Sequence, residues 1–217
     1  PMGIMDLSAE LGFHKSTTHR LVTSLQYMGY IRQDEESLKY ALSLKFLEIG
    51  SKILEQTNMA SLIHPSLKKL SEQTGETVHL VRREGTEAVY IDKVESTVSS
   101  IRMVSRVGSR IPLYCSGVGK ALLAELPDPE IEDIWNSSEI TSLTPYTVTS
   151  LSDLMDRIRG VREAGYAMDD EENEEGVRCI AVSIPDYHKE PVYALSISAP
   201  VSRMTDARIA ELSTDVL

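Results

Sequence analysis

Ser16, His19, Arg20 and Thr23 recur at offsets of three, four and seven, the spacing that gathers side chains on one face of a helix. Short hydroxyls and a cation on such a face, with Lys15 and Thr17 beside them, can donate to phosphate oxygens and base edges in a DNA major groove. Leu21, Val22, Leu25 and Met28 fall on the opposite face and would anchor that helix to a core. Any amphipathic surface helix has such a pattern, so the flanking residues matter. Upstream, a short helix over residues 7–11 would stop at Gly12, a residue that can take the left-handed conformation. Downstream, residues 30–34 and 39–42 read as two short strands joined by polar residues 34–37. That hairpin is a wing, whose Arg32 and Lys39 could touch backbone phosphate.

A second set of chemical groups lies near the other end of the chain. On a strand, Ser196 and Ser198 point to one face while Leu195 and Ile197 point to the other. A hairpin centred near Tyr187 and His188 would set Cys179 opposite Ser196. Small polar groups so gathered would be satisfied by a ligand bearing hydroxyls or a carboxylate, or simply by local backbone around a packed thiol. A cysteine enzyme with Cys179 as nucleophile and His79 or His188 as base is the competing chemistry. No spacing fixes such a pair, and a thiol facing into a sheet is usually inert. Gly117-Val-Gly-Lys120 lacks the remaining residues of a nucleotide-binding loop, with Tyr114 and Ala121 in the decisive places. A helix starting at Gly117 would still offer free N–H groups and a positive dipole end to a carboxylate. Residues 169–175 carry six carboxylates in seven positions without the spaced ligands and turn glycine of a calcium loop, and read as a solvated acidic loop with Asp169 as the exception. Cys115, Cys179 and the five histidines are too scattered for a metal site.

These groups must be held by an α+β chain of 217 residues, long enough for one or two domains with a sizeable core. Residues 1–50 form the winged helix-turn-helix, followed by a linker helix over about 43–58. Residues 59–217 alternate strands and helices: a helix at 59–74, strands at 78–83, 88–94 and 100–106, and helices at 117–125, 128–136 and 151–164. Strands at 178–184 and 192–198 complete the pattern. The net charge of −11 sits almost wholly in the second part: residues 1–50 carry five Lys/Arg against six Asp/Glu. Bulk charge therefore does not carry DNA binding, and an oligomer with several reading heads is expected. No apolar run approaches a membrane span and no secretory leader is visible. Two cysteines without a disulfide framework suit the cytoplasm.

The run Leu11-Gly12, Lys15-Ser16-Thr17, His19-Arg20-Leu21, Gly29-Tyr30, Tyr40-Ala-Leu-Ser-Leu-Lys45 and Leu47-Glu-Ile-Gly50 resembles the winged helix of the IclR family of bacterial transcription regulators. From about Met59 to Ala210 the chain resembles the family's effector-binding domain. That likeness rests on Thr77-Val-His-Leu80, Val89-Tyr-Ile-Asp92, Gly119-Lys-Ala-Leu-Leu-Ala124, Gly176-Val-Arg-Cys-Ile-Ala-Val182 and Leu195-Ser-Ile-Ser198. The resemblance implies a GAF-like antiparallel sheet with helices, no enzymatic activity and no cofactor or metal. It implies double-stranded operator DNA as partner, and a homodimer or homotetramer joined through the effector domains. It further implies one more helix ahead of Pro1 and one beyond Leu217. The small-acid pocket it implies maps onto Gly117, Val118, Asp169, Val177, Cys179, Ser196 and Ser198. Backbone N–H groups of Gly117 and Val118 would hold a carboxylate, Ser196, Ser198 and Asp169 would meet keto and hydroxyl groups, and Val177 and Cys179 would shape the space. Tyr114 stands where many members carry His, and Ser116-Gly117 where many carry Thr-Ala. Arg102-Met-Val-Ser-Arg-Val-Gly108 with Pro112-Leu-Tyr114 is similar to the branch that represses pectin and hexuronate breakdown genes and responds to 2-keto-3-deoxygluconate. An aromatic or glyoxylate-like acid is the alternative effector.

Overall fold

A computed structural model describes residues 1–56, 58–96, 104–186, 188 and 190–216. Two compact units divide the chain, Pro1–Asn58 and Met59–Leu217.

In the first unit, helix α1 (Ile4–Leu11) ends at Gly12, whose φ of 66° supplies the left-handed cap. Helix α2 (Lys15–Tyr27) follows, with Thr18 and Val22 turned inward. Strands β1 (Ile31–Gln33) and β2 (Tyr40–Leu42) pair antiparallel, Ile31 against Leu42. The turn between them is built on Asp34, whose Oδ1 accepts from the Ser37 N–H at 2.8 Å and hydroxyl at 2.6 Å. Helix α3 (Lys45–Gln56) leaves the wing.

The second unit is a six-stranded antiparallel sheet in the order β5-β4-β3-β8-β7-β6. Its strands are β3 (Thr77–Glu84), β4 (Glu87–Val94), β5 (Arg110–Pro112), β6 (Ala167–Asp170), β7 (Val177–Ile184) and β8 (Tyr193–Pro200). Side-chain alternation sorts the two faces. Val78, Leu80, Ile180, Leu195 and Ile197 pack with Leu67 of α4 (Asn58–Thr74) and Ile209 and Leu212 of α8 (Asp206–Val216). Val81, Ala181 and Ala194 turn the other way, towards α5 (Gly117–Ala124) and α7 (Leu151–Ala164), with α6 (Asp128–Asn136) beyond them. Both faces are thus covered, which makes the inner strands apolar on each side except around the cavity described below.

The elements expected from sequence differ from this fold in five places. Of the strand expected at 100–106, residues 100–103 lie outside the described residues, and Val104–Arg106 carries no strand. The short edge strand β5 and helix α8 were not anticipated. Residues 169–175 are not simply a solvated loop: Asp169 is buried as excepted, but Asp169 and Asp170 end strand β6 and the Glu172 side chain is buried too. Cys179 faces Ser198, with Ala181 facing Ser196, so the hairpin is centred one residue further on than expected. A register shift of two residues keeps Cys179 and both serines on one face, because the side-chain period is also two.

One close contact seats α5 on its scaffold. A Cβ at Gly119 would lie 2.2 Å from the Leu113 carbonyl oxygen and 2.3 Å from its Cα, both backbone atoms that cannot yield cheaply. Gly119→Ala is therefore expected to cost at least about 2 kcal/mol, within the range for overpacked sites. Urea unfolding of the two proteins measures it; a change below about 0.5 kcal/mol would show that α5 can lift from Leu113 freely.

Candidate functional site

Helix α5 begins over the sheet at the point where small residues give way to polar ones. Ala167, Ala181 and Ala194 lie under its body, while Asp169, Cys179, Ser196 and Ser198 continue the same strand faces beyond its first turn. The hydroxyl of Ser116 caps the helix, accepting from the Gly119 N–H at 3.1 Å and donating to the Pro112 carbonyl at 2.6 Å. The N–H groups of Gly117 and Val118, in the first turn, have no intrahelical partner to satisfy them. They border a small, partly enclosed cavity of about 40 Å³.

Gly117, Val118, Asp169, Val177, Cys179, Ser196 and Ser198 all line that space. A Cβ at Gly117 would come within 2.6 Å of Cys179 Sγ, so the bare backbone here is what lets the sheet and the helix N-terminus share one wall. The wall also includes His79, Tyr90 and Ser105, which sequence reasoning did not assign to a pocket. His79 Nδ1 lies 3.4 Å from both the Ser196 and Ser198 hydroxyls, and its Nε2 lies 2.8 Å from Ser105 Oγ. One ring nitrogen can serve only one of the two serines, leaving hydroxyl capacity for a ligand. The signal for His79 was the register of β3 on β8, which sets it directly across from Ser196.

Electrostatics are set by burial. Desolvation, helped by Lys93, presses the His79 pKa down to about 3, so the ring is neutral at physiological pH. Desolvation pushes the Asp169 carboxyl up to about 7 against the pull of Lys120, while its Oδ1 accepts from the Glu172 N–H at 2.8 Å and the Asn173 N–H at 3.3 Å. Burial likewise pushes the Cys179 thiol well above its ordinary range and Cys115 up to about 12. Neither sulfur is a thiolate at neutral pH, which removes the nucleophile that a cysteine enzyme needs. Among the described residues no group of three or more His, Cys, Asp or Glu could hold a metal ion. Tyr114 packs in the core instead, its hydroxyl donating to the Thr141 carbonyl at 2.7 Å and its ring edge-on to Trp135.

In the first unit, Lys15, Ser16, Thr17, His19, Arg20 and Thr23 are all exposed on α2, and Arg32 and Lys39 are exposed on the wing. Thr23 Oγ1 lies 3.5 Å from His19 Nδ1, and no other described side-chain bond ties this face down apart from helix-internal ones. Lys45, by contrast, is spent on the Met28 carbonyl at 2.6 Å and the Tyr30 ring.

An exposed helix-turn-helix face with a two-stranded wing in one unit, and a cavity-bearing α+β unit in the other, are the domain composition of a transcriptional regulator. Residues 1–35 match the IclR helix-turn-helix domain, and residues 51–217 match the C-terminal domain of the bacterial transcriptional regulator IclR. The chain belongs to the IclR family and is a transcriptional regulator, not an enzyme. It is 37% identical to the acetate operon repressor of Salmonella typhimurium, covering all of this chain and 79% of that protein. It is 38% identical to the HTH-type transcriptional regulator KdgR of Escherichia coli, over 97% of this chain and 80% of the relative. The crystal structure of Thermotoga maritima IclR superposes with a TM-score of 0.77 at 34% identity, over all of this chain and 86% of the other. No described helix is long and apolar enough to cross a membrane.

The two buried titrating groups oppose one another in stability. From about 3.9, the ordinary Asp value, up to about 7, the folded chain holds a proton on Asp169 that the unfolded chain has released, so this group makes stability fall as pH rises. Across about 3 to 6.5 the unfolded chain protonates His79 and the folded chain does not, so His79 makes stability rise with pH. Asp169→Asn removes only the falling component. The variant should gain on the wild type progressively between pH 4.5 and pH 7.5 in urea unfolding; a pH-independent difference would place Asp169 in contact with water.

Proposed function

We propose that this regulator is a repressor that holds operator DNA through α2 and the wing and changes its grip when a small keto or sugar acid enters the α5 cavity. The observation that carries this reading is the convergence of the Gly117 and Val118 N–H groups, Asp169, Ser196 and Ser198 on one space. An acid's carboxylate would sit at the helix terminus, where dipole and free donors favour it. Ser196, Ser198 and Asp169 would take the keto and hydroxyl groups, with Val177 and Cys179 as apolar walls. The number of hydroxyl partners suits a polyol acid such as 2-keto-3-deoxygluconate better than an aromatic one. A glyoxylate-like acid is the second reading, favoured by the tight fit that Gly117 and Cys179 enforce at the carboxylate end.

On the DNA side, Arg20 is assigned a base-edge contact, Lys15, Ser16, Thr17, Arg32 and Lys39 phosphate contacts, and His19 and Thr23 the groove wall between them. Two such heads in a homodimer, and dimers joined into a homotetramer, would read half-sites spaced by about 34 Å or a multiple of it. An effector can shift this grip only by its differential affinity for two states of the assembly.

Three measurements test the reading. Thermal unfolding against 2-keto-3-deoxygluconate, glyoxylate, pyruvate and benzoate should single out one acid, with about 2.7 kcal/mol of added stability at a hundred times its Kd. Ser196→Ala with Ser198→Ala should weaken that acid by about 1 kcal/mol for each hydrogen bond lost, with DNA affinity unchanged; loss of DNA binding instead would make the serines structural. Arg20→Ala should cost about 1–3 kcal/mol on a duplex recovered by in vitro selection and little on random DNA, whereas Lys39→Ala should weaken both alike. An equal loss on both duplexes for Arg20→Ala would rule out base readout.

A further inference from the structure

Two sequence features left unused by the effector reading meet at one point. Lys120 closes the Gly117-Val-Gly-Lys120 run, one turn into α5, and Glu172 comes from the acidic run after β6. Their side chains form an ion pair, each only 2% exposed. Glu172 Oε2 has no hydrogen-bond partner among the described residues.

Such a pair is a poor device for stability, because taking two charges out of water offsets most of their attraction, and an apolar pair of similar volume does as well. Its placement suggests another role. The Glu172 N–H is one of the two donors that hold Asp169 Oδ1, and the Glu172 carbonyl accepts from Thr147 Oγ1 at 2.7 Å. Next to it Glu171 sits at φ 62°, a strained conformation for a side-chain-bearing residue, pinned by the Gly176 N–H on its Oε2 at 2.9 Å and by Thr144 Oγ1 on its carbonyl. Asn173 and Glu174 of this loop wall the cavity. The ion pair is thus a side-chain strut between the helix that presents the Gly117 and Val118 N–H groups and the loop that aims Asp169.

We propose that Lys120 and Glu172 are a positioning pair for the effector pocket, fixing the 171–176 loop against the first turns of α5 so that Asp169 and the two backbone donors can engage one ligand together. The proposal rests on the effector assignment above for its consequence in binding, and on the strut geometry alone for its consequence in the free protein.

The full chain carrying Lys120→Met with Glu172→Met tests it, since removing both charges avoids stranding one. The thermal midpoint should stay near that of the wild type. Amide exchange at positions 172 and 173 should accelerate ten-fold or more without any ligand. The affinity for whichever of the four acids stabilises the wild type should fall ten-fold or more. Unchanged exchange, or faster exchange with unchanged affinity, overturns the proposal. If none of the four acids binds the wild type, the effector assignment fails while the exchange measurement still decides the strut. Lys120→Met with Glu172→Gln, which also removes both charges and keeps the acidic side chain's shape, provides a second variant should the first not fold. It should show the same acceleration, and unchanged exchange in it counts equally against the pair.

Discussion

The depth to which α5 sinks into its half of the molecule is the constraint on which the sensor unit depends. Seven of its eight residues are buried, and two of them must lack a side chain: Gly119 against the Leu113 backbone and Gly117 against Cys179. A helix this close to a sheet buries its own first turn, whose free N–H groups then need partners that water supplies elsewhere. Ser116 satisfies one. Gly117 and Val118 border the cavity, with the Gly117 N–H lying against the Cys179 sulfur. Ala167, Ala181 and Ala194 make the approach possible on the sheet side, so the cavity and the packing that surrounds it have a single cause.

Charge inside this unit is arranged with little slack. Lys120 is committed to Glu172, His79 is held neutral by burial, and the sulfurs remain thiols. The Asp169 carboxyl, pushed up to about 7, is the group in the wall whose charge changes near physiological pH. An entering carboxylate would be repelled by ionised Asp169 and attracted by the end of α5. Uptake of a proton by Asp169 resolves that conflict, since a protonated carboxyl can donate to the ligand. The −11 net charge raises no contradiction with DNA binding, because residues 1–50 account for only −1 of it.

Local signals in the chain were enough for elements with strong punctuation. Helices α6 and α7 begin and end where they were expected, one opened by Pro127 and an acidic first turn, the other by Ser150 and closed by Gly165 in the left-handed conformation. What escaped was what only tertiary pairing decides. Strand β6 ends in Asp-Asp, which reads as loop until β7 pairs with it and α5 covers Asp169. Strand β5 is three residues on a sheet edge, too short to leave a periodic trace. The face shared by Cys179, Ser196 and Ser198 was legible from alternation alone, while the partner of Cys179 was not, because the loop between β7 and β8 sets the register. His79 joins the cavity across a strand pairing of 117 residues' separation, which no local pattern carries.

Overall similarity does not choose the effector. Identity to the acetate operon repressor and to KdgR differs by a single percentage point, 37% against 38%. If the cavity takes an acid as proposed, discrimination among small acids would lie with a few wall residues. A site built to hydrogen-bond hydroxyls can reject an analogue lacking them by about 10⁴-fold, because its own buried polar groups are then left unpaired, whereas an apolar wall discriminates a methylene by only about 10–200-fold. Tyr114 stands outside that wall, its contacts with Thr141 and Trp135 bracing the segment that leads into α5. Under the effector reading proposed above, selectivity would turn on how His79 divides itself between Ser196 and Ser198, and on whether the ligand offers a hydroxyl to the serine left over.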